Sequence, residues 1–457
     1  MPVEKRTNKR YILIVLLFFH TVNTYMDRIC ISAASESIKS DLGISNQLMG
    51  YIFGIFAIGY ALFQIPSGWI ADKYGPKKAL SWIVLSWSSL TALTGAAWNF
   101  VSLLVIRFLF GVGEAGAFPG ATKAFYKWMP AKERGIANGI FHSGARVGAA
   151  MSLFLLPFLI RFVGWRMTFV ITGLLGLVWV VFWLYWYKDN PRQNLKINDL
   201  ELEYIEKGIS DNHVFNSKLS LGQILTSPNM MFVMFQYIAS NITFFISFTW
   251  LLPYLVSQWG PGAEIYAPIP LLFGIFAQWL SGWLIMQIYD KGYPVNSRKI
   301  PAIIGFSIAV IGLLMITVIH ESSALAFTIF FSVAVFGVEM TIAPSWSLCM
   351  DIGGNKSGTV SATMNMLGNI GAAISAILFP FFINHVTIPI ISNSSGTANS
   401  FFVFAACMNL LAIVAWINIR PTRETSSQNQ NQIRKRLIIF GSILFLVTIF
   451  AVLYKFF

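Results

Sequence analysis

The stretch "SGWIADKYGPKKALS", Ser67–Ser81, closes one long apolar run and leads straight into another. It returns in altered form as "SGWLIMQIYDKGYPVNSRKIP", Ser281–Pro301. Both copies open Ser-Gly-Trp at the end of an apolar run. Both then give Asp-Lys, a glycine turn and a basic pair before the next run. A loop that recurs at the same place in a series of apolar segments marks an internally repeated membrane protein. The repeat predicts two related halves.

Composition settles the solvent. Of 457 residues, 56% are hydrophobic and 11% charged, with mean hydropathy +0.65; a soluble domain carries about 25% charged residues. The apolar runs, each about 20 residues, match a bilayer-spanning α-helix, whereas a β-barrel would show about ten-residue alternation. Spans fall at 11–32, 47–71, 79–99, 101–126, 137–160, 166–187, 229–257, 265–289, 300–319, 323–350, 357–383 and 398–419. The expected organisation is an all-α polytopic membrane protein with an amino-terminal half over 1–188, a central cytoplasmic loop over 189–228 and a carboxy-terminal half over 229–419. A basic linker and an extra apolar helix would follow over 420–457. That last run, Leu437–Tyr454, is about 27 Å long as a helix, enough to cross outward as a peripheral thirteenth span.

A net charge of +13 would suit a polyanion partner, but its distribution argues against nucleic acid. Lys5, Arg6, Lys9 and Arg10 precede the first span; Lys73, Lys77 and Lys78 follow the second; Lys127, Lys132 and Arg134 follow the fourth; Lys291, Arg298 and Lys299 follow the eighth. Alternate loops hold little more than Lys39, Arg161 and Arg166. This is the positive-inside pattern, with the amino terminus cytoplasmic. The first span is too long for a signal peptide, has no small-residue cleavage site and contains Asp27 and Arg28, so it reads as retained. Cys30, Cys349 and Cys407 show neither disulfide nor metal spacing. No metal and no cofactor are expected. An enzyme would need a nucleophile or a His/Asp/Glu cluster that the sequence does not offer, which leaves a membrane-embedded enzyme as a remote alternative.

"GWIADKYGPKK", Gly68–Lys78, resembles the loop signature of the major facilitator superfamily: glycine, three residues, Asp, a basic residue, any residue, glycine, any residue and two basic residues. Gly68 permits close helix contact, and Asp72 can accept charge-assisted hydrogen bonds at a helix end. Lys73, Lys77 and Lys78 stay at the inner face, with Gly75 at the turn. The resemblance implies that this loop is a cytoplasmic gate. The second copy departs from the pattern, with Met286 where relatives carry Asp, and Asp290 further on. "TYMDR", "RFLFGVGEAGAFPG", "WMPAKERGIANGIFHSGARVGAA" and "NMLGNIGAA" narrow the likeness to the anion:cation symporter family, over roughly residues 10–420. That family includes bacterial sugar-acid carriers and vesicular glutamate and sialic acid carriers. Phe53 stands where the vesicular glutamate carriers have histidine, and the seventh span has no basic residue, which favours the bacterial branch.

Charges inside spans each cost about 2.5–3.5 kcal/mol, so they must face a cavity or a partner. Arg28 and Arg107 present planar donor forks suited to a carboxylate, with structural ion pairs as the alternative. The resemblance implies that they bind an anionic substrate. Arg107 and Glu114 are two helical turns apart on one face. The resemblance implies that Glu114 couples protons: ionised, it competes for arginine charge; protonated, it admits an anion. Asp27 points about 100° away from Arg28 and is expected to be a second proton site or a latch. Arg146 is expected to be a gating latch or a structural residue, His142 to be packing, and Glu339 is left open. Tyr51, Tyr60, Gln64, Trp250, Tyr254, Asn365 and Asn369 are candidates to hydrogen-bond the hydroxyls of a polyol acid, or otherwise to pack helices. The expectation is proton-coupled symport of a small organic anion by a monomer in the bilayer, in a bacterial inner membrane. An uncoupled, sodium-coupled or exchange carrier of phosphorylated or amino-acid anions is the alternative.

Overall fold

The computed structural model describes residues 5–210, 222, 225, 227–319, 323–385 and 399–420. The proposed thirteenth span at 437–454 lies outside them. Among the described residues the regular structure is helical throughout: α1 Tyr11–Ala33, α2 Ser35–Leu42, α3 Asn46–Tyr74, α4 Pro76–Thr94, α5 Phe100–Glu114, α6 Ala117–Trp128, α7 Arg134–Trp186 and α8 Asp199–Ser210. Then follow α9 Pro228–Phe244, α10 Ile246–Thr249, α11 Leu251–Trp259, α12 Ile269–Asp290, α13 Pro294–Ile319, α14 Ala324–Met340, α15 Ile342–Gly353, α16 Ser357–His385 and α17 Asn399–Asn418. Each of the twelve expected spans coincides with one of these helices, with one arm of α7, or with a consecutive group of them.

The boundaries have local causes. The Ser45 side chain accepts from Leu48 N at the start of α3. Asn99 and Ser102 close a reciprocal capping box on α5, satisfying two donors that the first turn would leave open. Gly75 (φ 83°) separates α3 from α4, with Pro76 at the first helical position. Gly164 (φ 78°) breaks α7 into an arm over 134–163 and a return arm over 165–186, so one continuous run holds two expected spans. Eight helical runs among the described residues are long and apolar enough to cross a membrane by length and composition. Their outward faces carry Phe154, Phe162, Val181 and Val318, large apolar side chains left exposed. In water such a surface would aggregate; facing lipid it needs no cover.

The chain packs as two compact units. One takes residues 5–210, 274–301 and 342–366; the other takes 227–273, 302–319, 323–341, 367–385 and 399–420. The first unit thus joins the amino-terminal helices to all of α12 but its first turn, to the first turns of α13 and α16, and to α15. An apolar cluster of Cys30, Ile31, Ile38, Met49, Ile52, Leu103, Trp165 and Phe169 fills it at the end where α1 gives way to α2. In the second unit α9 packs on α14 and α17, and Tyr254 sits among Phe327, Phe379 and Trp259.

Candidate functional site

The buried stripe of α5 is Leu103, Arg107, Phe110, Gly111 and Glu114, a helical repeat that points both charges into the first unit. Close crossing of α3 and α5 is made possible by glycines. A side chain at Gly59 would strike the Phe108 carbonyl, and one at Gly111 the Phe56 carbonyl. This crossing brings Phe56 and Tyr60 beside the two charges. From α1, Arg28 Nε donates to Glu114 Oε1 at 2.5 Å, while its guanidinium lies 4.6 Å from the Tyr60 ring centre and 5.1 Å from that of Tyr25. The ion partner of Glu114 is therefore Arg28, from another helix, rather than Arg107 on its own.

Arg107 is 2% exposed and makes no ion pair among the described residues; its guanidinium rests 4.4 Å from the Phe110 ring and 5.2 Å from Phe56. Its Nε, Arg28 Nη2 and Glu114 Oε2 have no hydrogen-bond partner there. One guanidinium thus pairs with the carboxylate while the second lies against the same Phe56 ring, with donor capacity left over. Buried guanidinium donors without acceptors are costly, about 1–3 kcal/mol each, unless a ligand or water completes them. The arrangement is suited to a small anion, and the rings add cation–π stabilisation without neutralising the charge.

The other candidates divide. Asn365 donates to Tyr60 Oη at 3.3 Å, and Gln64, one turn further along α3, is fully buried with neither amide atom partnered. Both join the neighbourhood of Arg28. Tyr51 does not: it is 55% exposed and its hydroxyl accepts from Gln47. Trp250 donates to the Ala376 carbonyl at 3.0 Å and belongs with Tyr254 to the second unit, as does Asn369, one turn from Asn365 on α16. Arg146 is buried 5.8 Å from the Tyr25 ring. His142 packs against Phe141 and Trp346 with Nδ1 at 3.0 Å from the Asn138 carbonyl. Glu339 is fully buried in α14. The Asp27 carboxylate, on the adjoining face of α1, accepts no hydrogen bond from a described residue.

The repeated loop supplies a second constellation. Asp72 accepts from Gly358 N at 3.0 Å, Thr359 N at 2.7 Å and Thr359 Oγ1 at 2.7 Å, and Lys123 lies 3.3 Å away. The carboxylate therefore caps the amino terminus of α16, where unpaired N–H groups and the helix dipole favour an anion. Gly68 makes the approach possible, since a Cβ there would lie 2.6 Å from the Gly358 carbonyl oxygen and 2.8 Å from Ala362 Cβ. Around the same turn, a Cβ on Gly75 would meet the Asp189 carboxylate, which also accepts from Lys77 N at 3.2 Å. Lys73 lies over the Trp69 ring, and Lys78 lines a groove with Tyr74 and Trp82.

Several partners at this end were not singled out from the sequence. Asp351 takes Arg134 Nη1 on one oxygen at 2.7 Å and Arg298 Nε on the other at 2.9 Å, all three buried. Lys123 also donates to the Asn355 carbonyl, and Lys132 pairs with Asp290 at 3.1 Å. Arg10 bridges Glu133 at 2.7 Å and Glu201 at 2.9 Å. The signal was present in part. Glu133 and Asp189 are isolated acids beside the basic residues of the inner loops, where the positive-inside trend needs none; Glu201 lies in an acidic run and Asp351 at the end of an apolar one, and neither stands out.

Comparison with known proteins agrees with this architecture. The model of the Major Facilitator Superfamily matches residues 16–376. The probable sulfoacetate transporter SauU of Cupriavidus necator is 31% identical over 83% of this chain and 89% of its own. The probable galactarate/D-glucarate transporter GudP of Escherichia coli is 31% identical over 91% of this chain and 94% of its own, and the hexuronate transporter of Bacillus subtilis is 29% identical over 90% and 94%. Among solved structures, the proton:xylose symporter XylE shares the fold with a TM-score of 0.70 at 14% identity, covering 91% of this chain and 97% of that one. With a helical fold whose long runs suit a bilayer, the signature loop capping α16 and a family match across most of its length, this integral membrane protein belongs to the major facilitator superfamily.

Proposed function

We propose that the chain imports a small hydroxylated organic anion of the sugar-acid class together with protons, by alternating access, across a bacterial inner membrane with its amino terminus in the cytoplasm. The observation that carries this reading is the Arg28–Glu114 pair beside the unpaired Arg107. While Glu114 is ionised it occupies the Arg28 fork. A proton on Glu114 weakens that claim and leaves two guanidinium groups for the carboxylate of a substrate. Anion and proton then favour each other's binding, which is the reciprocity that symport requires. Tyr60, Gln64 and Asn365 supply hydroxyl-reading groups nearby. The names of the relatives, transporters of galactarate and glucarate, of hexuronate and of sulfoacetate, support a compact, strongly acidic substrate. Release of Asp72 from the amino terminus of α16 would open the cytoplasmic side.

Reconstituted protein tests this directly. Glucarate, galactarate, glucuronate and galactonate, with sulfoacetate and xylose for comparison, are offered to proteoliposomes carrying a trapped pH dye. The expected result is substrate-dependent acidification of the lumen by a sugar acid and none by xylose. Glu114→Gln should retain counterflow and lose accumulation against a gradient. Undiminished accumulation in that variant would remove Glu114 from the coupling role.

A further inference from the structure

A groove of about 500 Å³ runs between α3 and α4 on the first unit. Its α3 wall is Phe63, Ser67, Ile70 and Tyr74, spaced four, three and four residues apart, which is one stripe of a helix. Lys78, Trp82 and Ser86 form a matching stripe of α4, and Val112 and Gly113 of α5 complete the lining. Small residues let this end of α5 come so close. A Cβ on Gly113 would stand 3.3 Å from Ser86 Cβ, and one on Gly116 would strike Ile83 and Ser67. The groove opens sideways, since Trp82 is 70% and Tyr74 54% exposed. Gly68 and Asp72 stand about 200° around α3 from Ile70 and Tyr74, so the seam with α16 is on the opposite face.

Depth and charge say what would fill it. Tyr74 is the last residue of α3, a run long and apolar enough to cross a membrane. From Phe63 to Tyr74 the helix rises about 16 Å, close to half of a hydrocarbon core of about 30 Å. The groove therefore reaches from the end of the span to the middle of the bilayer, which is the depth of one leaflet. Its walls are apolar but for the hydroxyls of Ser67 and Ser86 and the Trp82 indole, and the charged lining residue, Lys78, stands at the loop end with Tyr74. Lys73 adds a second ammonium group there, 4.6 Å from the Trp69 ring centre and 5.3 Å from that of Tyr74. The acids of this turn are engaged elsewhere, Asp72 with α16 and Lys123, and Asp189 with Lys127. Lys73 and Lys78 make no ion pair among the described residues.

We propose that the groove holds one anionic glycerophospholipid, with an acyl chain along Phe63, Ile70 and Trp82 and its phosphate between Lys78, Lys73 and the Tyr74 hydroxyl. Lysine stems follow apolar surface while the ammonium group stays at headgroup level, and a tyrosine hydroxyl suits the same interface. A water-soluble anion would find the lysines but gain nothing from the apolar walls. A zwitterionic lipid offers the same phosphate, yet brings its own cation against two lysines that no acid balances. An anionic headgroup such as phosphoglycerol does not, and each lysine near the surface favours it about fivefold. On the proposed orientation the site faces the cytoplasmic leaflet, whose surface is negatively charged. The binding itself rests neither on that orientation nor on the proposed substrate.

The full chain, purified and stripped of lipid in detergent, provides the test. It is titrated with phosphatidylglycerol and with phosphatidylcholine of the same acyl chains, and bound copies are counted by native mass spectrometry. The expected result is a first phosphatidylglycerol held at least about tenfold more tightly than phosphatidylcholine. Lys78→Gln should weaken that first copy about fivefold. Ser86→Phe, at an exposed position of the lining, should fill the path of the acyl chain and weaken it at least as much with both lysines in place. Equal affinity of the wild-type protein for the two lipids overturns the proposal whatever the variants do. So does a Ser86→Phe protein that elutes as a monodisperse peak and binds its first phosphatidylglycerol normally, because the lysines would then attract lipid without the groove. A monodisperse Lys78→Gln protein with normal binding overturns it as well, by removing the headgroup from this end.

Discussion

Asp72→Asn keeps the shape of the side chain and removes its charge. The wild-type carboxylate accepts three hydrogen bonds from Gly358 and Thr359 and faces Lys123 at 3.3 Å. Hydrogen bonds to a charged group contribute about 1.5–3 kcal/mol each, and an anion at a helix amino terminus about 0.3–2 kcal/mol. The amide retains one acceptor, so part of this survives. A net loss of about 2 kcal/mol is the reasonable expectation, which corresponds to roughly a 30-fold shift toward the state in which the cytoplasmic end is open. Ser361, one turn into α16 and fully buried, reports that opening. Cys30 and Cys349 are buried and Cys407 is exposed, so Ser361→Cys is placed in a Cys407→Ser background. Inverted membrane vesicles are treated with an impermeant maleimide. Where opening is fast relative to labelling, the rate follows the open population, and Asp72→Asn should raise it about 30-fold. An unchanged rate, with normal amounts of protein, would show that the cap on α16 is not what holds this end shut.

Three further outcomes follow from the same geometry. Arg107→Lys should lower sugar-acid affinity by about 10- to 100-fold, because an ammonium cannot reproduce two parallel N–H donors; wild-type affinity in a binding assay would return Arg107 to a structural role. Gly68→Ala should raise Ser361→Cys labelling as Asp72→Asn does, by overpacking worth about 1–3 kcal/mol against Gly358 and Ala362; normal labelling would show that the helices can separate there at no cost. Burial opposes ionisation of Glu133, but Arg10 outweighs it and holds the carboxyl below its ordinary value of 4.5. Its ion pair with Arg10 is therefore fully present above that value and is lost as pH falls through the lowered one. Although intrinsic exchange slows on acidification, the protection of the amides around Arg10 relative to that intrinsic rate should fall, and Glu133→Gln should show the reduced protection already at neutral pH.

What the sequence displayed best was what lipid enforces. Backbone groups in hydrocarbon must pair within their own helix, so the long apolar runs mapped onto the long helices, whereas the polar helices α2 and α8 lie outside every expected span. The loop signature led to Gly68 and Asp72, though not to the groups they meet, because residues 358 and 359 are nearly three hundred positions away. The ion-pair partners were harder. Periodicity placed Arg107 and Glu114 on one face of α5, yet pairing depends on which neighbouring helix reaches that face, and Arg28 arrives from α1. Asp351 was hidden for a similar reason: a carboxylate at the end of an apolar run has no visible partner until α7 and α13 bring Arg134 and Arg298 to it.

One pattern in α3 ties the two constellations together. Tyr60, Gln64, Gly68 and Asp72 recur every four residues and wind slowly around the helix over about 18 Å. Three of them meet α16 in matching order: Tyr60 takes a hydrogen bond from Asn365, Gly68 approaches Ala362 and Gly358, and Asp72 caps Gly358 and Thr359. The same Tyr60 ring lies against the Arg28 guanidinium. Pro66 lies inside α3 between the two ends of this pattern, where a helix can bend, so on the proposed gating a separation at Asp72 strains the Tyr60–Asn365 hydrogen bond only to the extent that α3 stays straight there. If Arg28 binds an anion and Asp72 closes the cytoplasmic end, as proposed, both would act on the same pair of helices, α3 and α16, through side chains about 120° apart around α3.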